Sequence, residues 1–98
     1  MSKPISVKIS TSTKDGKKLM AVFQMDSGRT RTTHFGQSGA DDYTKTRDKA
    51  QKQRYISRHN RRENWRDPLT AGALSRWILW NLPTRSASIK DYKKRFKL

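Results

Sequence analysis

Four arginines recur at spacings of seven, four and three: Arg47, Arg54, Arg58 and Arg61. On a helix such spacings bring side chains to one side. A guanidinium is planar, permanently charged, and offers a fork of donors that grips two phosphate oxygens at once or reads a guanine edge. Arg62 and Arg66 prolong the row, and Lys93, Lys94 and Arg95 form a shorter cluster near the end. The chemistry suggested is a grip on duplex phosphates rather than bond-making. A basic helix face is ordinarily only a solvated surface. Here the carboxylates that would balance it are scarce, with 23 Lys and Arg against 8 Asp and Glu, and that imbalance favours a polyanionic partner.

For catalysis the inventory is thin. There are two histidines, His34 and His59, and no cysteine. His59-Asn60 evokes a metal-dependent nuclease, but the ligand spacing around it is missing. Asp41, Asp42 and His34 make a poor metal set, because adjacent carboxylates at a helix start more often cap it and complement its dipole. Phosphate-loop, dinucleotide-fold and nucleophile-elbow patterns are absent. No catalytic residue, metal, cofactor or small-molecule substrate is expected.

Trp65, between Asn64 and Arg66 in a polar stretch, either anchors a turn onto the core or stacks on a base or in a partner's pocket. Trp77 and Trp80 lie three apart in the most apolar segment and read as core. Gly36 and Gly39 could shape an anion nest, although Asp41 and Asp42 nearby favour a helix start instead. Arg29 and Arg31 share one side of a strand, where charge can blunt a sheet edge as well as meet phosphate.

The elements that must position these residues follow from periodicity. Ile5, Val7 and Ile9 alternate with polar residues, Asp15-Gly16 signals a turn, and Leu19, Ala21, Phe23 and Met25 line one side of a second, central strand. Asp26-Ser27-Gly28 turns again into a threonine-rich third strand. The expectation is an α+β fold, one domain over residues 1–98, in which a three-stranded antiparallel sheet packs against about three helices. Residues 1–36 form the meander, 44–62 a basic helix begun at Thr46 or nearby, 68–82 an apolar core helix begun at Asp67-Pro68, and 84–96 a basic amphipathic helix capped by Thr84 or Ser86. Tyr55, Ile56 and His59 fall opposite the arginines, and Ile89, Tyr92 and Phe96 form the seam of the last helix.

Composition sets the frame. A net charge of +15 on 98 residues gives a positive potential that concentrates polyanions. It is uneven, with +3 over residues 1–42, +7 over 43–66 and +5 over 67–98. The lack of cysteine permits a reducing compartment. The amino terminus has no signal-peptide pattern, and the longest apolar run falls short of the ~20 residues that span a bilayer, so a soluble, unsecreted protein is expected.

The stretches HFGQSGADDYT, RYISRHNRRENWRDPLTAGALSRWILWNLPT and SIKDYKKRF resemble a small family of basic proteins encoded by large nucleocytoplasmic DNA viruses, notably those of chlorella-like algae. The resemblance runs over residues 31–96 and is most specific in RHNRRENWRDPLTAGALSRWILWN. It implies a viral protein of the particle or the infected cell interior, where a large genome must be neutralised and organised. The expected function is non-enzymatic binding of double-stranded DNA with little sequence preference. A minor structural protein of the capsid or inner shell, bound to acidic protein or membrane surfaces, is the alternative, with viral structural proteins as partners and an exposed part of the apolar helix able to dock into a neighbouring subunit; RNA binding comes third.

Overall fold

Alternation in the first third is realised as an antiparallel meander. A computed structural model describes residues 3–98; Met1 and Ser2, with which the expected meander began, lie outside the described residues. Strands β1 (Pro4–Thr11), β2 (Lys17–Met25) and β3 (Thr30–Gln37) pair in the order β1-β2-β3. Register pairs Val7 with Phe23 and Phe23 with Arg31, and Thr11 with Leu19 and Leu19 with Phe35. Leu19, Ala21, Phe23 and Met25 are therefore buried together with Val7 and Phe35, while Met20, Val22 and Gln24 sit on the wetter side. Ile5 departs from the alternation. The register slips between Pro4 and Ser6, and Ile5 is left 58% exposed.

Four helical segments cover the inner side of the sheet. They are α1 (Tyr43–Thr46), α2 (Lys49–His59), α3 (Ala71–Leu74), which continues as a π-helical turn over Ser75–Leu79, and α4 (Arg85–Phe96). The expected basic helix over 44–62 is two helices, because two aspartates cap in series. Asp42 accepts from Lys45 N and starts α1; Asp48 accepts from Ala50 N and Gln51 N and starts α2. Arg47 between them takes left-handed backbone, φ 55°, and closes α1. Thr46 therefore ends a helix instead of starting one.

The apolar helix is also shorter than its composition suggested. Thr70, not Asp67, is its cap, accepting from Ala73 N, while Asp67 holds the preceding turn by accepting from Leu69 N. Regular α geometry ends at Leu74; Trp80 N then donates to Ser75 O at 3.0 Å, five residues back. Such a bulge rotates the residues beyond it relative to an unbroken α-helix. Leu74, Ile78, Leu79 and Trp80 all enter the core. Thr84 caps α4 by accepting from Ala87 N, and Tyr92 is buried with its hydroxyl donating to Pro68 O at 2.6 Å.

A buried ion pair pins the connector to the sheet. Lys18 Nζ donates to Asp42 Oδ2 at 2.6 Å and also to Ala40 O, and the Asp42 side chain is 1% exposed. Burial alone would raise the Asp42 pKa. The bonds from Lys18 and Thr44 and the nearby Lys18 and Arg85 charges outweigh burial and hold it below 3.8. One carboxylate thus fixes both the start of α1 and its distance from β2. Asp42→Ala leaves Lys18 unpaired and should cost about 3 kcal/mol in urea denaturation. A depressed folded pKa contributes stability above 3.8 that is lost as pH falls through the lower folded value; Asp42→Asn should flatten stability against pH in that acid window.

Candidate nucleic-acid interface

Helix α2 has one buried residue, Tyr55. Its ring stacks on Trp80 with centroids 4.5 Å apart at 7°, and on its other neighbour His59 at 4.3 Å and 28°. Burial pushes the Tyr55 hydroxyl pKa up to about 12, with the Glu63 carboxylate adding to the rise and Arg76 opposing it. Lys52, one turn earlier on the inner side, donates to Asn81 O at 2.6 Å and lies 4.8 Å from the centre of the Tyr43 ring. Burial and the neighbouring Arg76 and Lys49 charges lower its pKa. These contacts set the rotation of α2 about its axis.

With Tyr55 inward, Arg54 and Arg58 lie along one flank of it, about 100° and 60° round the helix axis. Both are exposed, and with Ala50, Gln53 and Ser57 they line a shallow groove along the helix. Asn60 keeps right-handed helical backbone, so Arg61 continues the same side. Arg62 follows in the turn, its N–H donating to His59 O at 3.1 Å. Arg66 is exposed in a second turn shaped by Asn64, whose side chain accepts from Arg66 N at 3.1 Å. Among the described residues the ion pairs are Lys18–Asp42, Lys45–Asp41 and Arg95–Asp91. None of Arg54, Arg58, Arg61, Arg62 and Arg66 takes part.

The remaining expected contacts lie elsewhere. Arg47, turned aside by its left-handed backbone, borders a different hollow with Lys45 and Arg85. Lys94 is exposed and Lys93 half-buried on the last turn of α4. The Arg95 guanidinium is engaged, 3.7 Å from the centre of the Trp77 ring and 3.4 Å from Asp91 Oδ2. Trp65 faces the protein. Its carbonyl accepts from Trp77 Nε1 at 2.9 Å, Arg76 lies 5.4 Å from its ring centre, and its indole nitrogen is buried with no bonding partner. Arg76, half-buried, donates to Trp80 O at 2.8 Å and lies 4.3 Å from the Trp77 ring centre. Burial and the adjacent Arg95 charge lower its pKa. Among the described residues no group of three or more His, Asp or Glu side chains is placed to hold a metal ion; His34 Nδ1 instead meets the Ser12 hydroxyl at 2.7 Å. No helix among them is long and apolar enough to cross a membrane.

A family model, described as a family of unknown function and designated DUF5754, matches residues 7–59, more than half of the chain. The chain belongs to DUF5754. The DUF5754 match spans most of the meander together with α1 and α2, so Arg47, Arg54 and Arg58 fall inside it and the apolar helix and α4 outside. No curated protein and no solved structure matches the chain.

The geometry separates the roles of two basic groups. Arg95→Gln removes a cation over an aromatic face and should lower unfolding free energy by about 0.5–1 kcal/mol. Arg54→Gln and Arg58→Gln, which remove side chains without partners, should stay within about 0.5 kcal/mol of the parent protein in the same denaturation assay.

Proposed function

We propose that the protein is a non-enzymatic DNA-binding module that holds duplex phosphates on the outward side of α2 and the turns after it, with little sequence preference. The observation that carries this reading is the run of exposed, unpaired arginines Arg54, Arg58, Arg61, Arg62 and Arg66 on one docked helix and its continuation. A surface with that density of fixed positive charge gains free energy chiefly by displacing condensed counterions from a polyanion. Arginine suits the task because its fork matches phosphate geometry and its charge survives any physiological pH. Arg47, Lys93 and Lys94 extend the positive field to neighbouring sides.

The setting we propose is the packaging or organisation of a viral genome, in keeping with the resemblance to basic proteins of large DNA viruses. A role as a shell component docking through the apolar helix draws less support, since Leu74, Ile78, Leu79 and Trp80 are all buried. Single-stranded RNA as the partner would use the same cations and is separated from duplex DNA by direct competition.

Replacing Arg54, Arg58, Arg61 and Arg62 together by Gln should weaken duplex binding and reduce the slope of log affinity against log salt by about 3–4, at roughly 0.9 per phosphate contact. A slope equal to that of the parent protein would overturn the reading.

A further inference from the structure

Between the end of β3, the inner side of α2 and the start of α3 lies a cavity of about 630 Å³, within the roughly 300–1,000 Å³ typical of small-ligand sites. Three properties of its lining converge on one kind of occupant. The wall carries rings: Tyr55 is held between Trp80 and His59, and the half-buried His59 ends the stack as the ring left to meet a base. The rim carries neutral and anionic groups suited to the edge of a heterocycle, namely the amides of Gln37 and Gln51 and the carboxylate of Glu63. Cations stand at its mouth, Lys17 from the sheet and Arg58 from the helix, both exposed. The π-helical turn shapes one side of this cavity, which Ser75, Leu79 and Trp80 all border.

Position decides what would enter. Gln51 and Arg58 border the cavity and also the groove along the arginine side of α2. A phosphate held by Arg58 in that groove therefore has its own sugar and base beside the cavity mouth. Bases in an intact duplex are stacked and paired, so only an unpaired nucleotide at an end, a gap or a bulge can turn in without the cost of unstacking.

We propose that this cavity receives one unpaired nucleobase of the nucleic acid whose phosphate Arg58 holds. The inference rests on the DNA-binding reading above and adds a substrate feature to it: duplex with a short single-stranded extension is preferred to blunt duplex. Glu63 sets a base preference. Its carboxylate accepts from the amino groups of cytosine, adenine or guanine and is repelled by the two carbonyls that flank the thymine N–H.

The test is competition between a dye-labelled blunt duplex and the same duplex carrying a short unpaired extension, for the full-length protein. The parent protein should bind a cytosine-extended duplex about tenfold more tightly than the blunt one, the lower part of the range measured for one stacked base. The ratio should fall toward unity for a thymine extension. Ser75→Leu, which fills the cavity, should erase it, and Glu63→Gln, whose amide remains compatible with folding, should remove the difference between cytosine and thymine. Blunt and extended duplexes bound equally, with the steep salt dependence retained, would overturn the cavity proposal and leave the arginine surface standing. Weak, salt-insensitive binding of both would overturn the DNA-binding reading and this inference with it.

Discussion

The direction in which Tyr55 points governs the rest of the surface. A helix as polar as α2 has no broad apolar stripe to orient it, so the stack of Tyr55 on Trp80, with Ile56 packed nearby and Lys52 reaching Asn81 O, does that work. An aromatic pair contributes about 0.5–1.5 kcal/mol beyond the area it buries. With Tyr55 fixed, the helix is set so that Arg54 and Arg58 stand along one flank of that contact, where both are exposed. The positive face is thus a consequence of a core contact.

That contact depends in turn on the segments at either end of it. Trp80 reaches Tyr55 from beyond a π-helical turn, where an extra residue between bonded groups changes the angle at which the chain leaves the helix. The Lys18–Asp42 pair sets the start of α1, and the left-handed backbone at Arg47 followed by the Asp48 cap redirects the chain into α2. In a protein with only 32% hydrophobic residues, such polar pins supplement a core too small to define every joint. Arg76 shows how far the economy goes: a half-buried guanidinium beside Trp65 and Trp77 serves as packing.

The strands were legible because alternation is a local signal, and the inward set of β2 falls where the pattern puts it. Ile5 was not, since a register slip cannot be seen without the partner strand. Helix positions were legible, their limits less so. Asp42, Asp48 and Thr70 are all strong capping residues in plain view, but neighbouring candidates such as Thr46 and Asp67 compete for the same role, and only tertiary packing chooses between them. The π-helical turn leaves no compositional trace. For the interface, Arg54, Arg58 and Arg61 were readable as one row since they share a helix and its continuation. Arg47 fell away because a left-handed residue breaks the periodicity, and the engagement of Arg95 by Trp77 joins residues 18 apart in sequence. The cavity beside Arg58 was missed because its walls come from three separate segments and no single stretch advertises it.

The proposed function stands on a polyanion binding to the exposed arginine side of α2. The direct measurement is an NMR titration of the isotope-labelled protein with a short blunt duplex, following arginine side-chain and backbone amide resonances. Binding there should give shifts concentrated on Arg54, Arg58, Arg61 and Arg62 and small changes for Met20, Val22 and Thr32 on the open side of the sheet. Shifts centred on the sheet instead, with the α2 arginines unmoved, would contradict it.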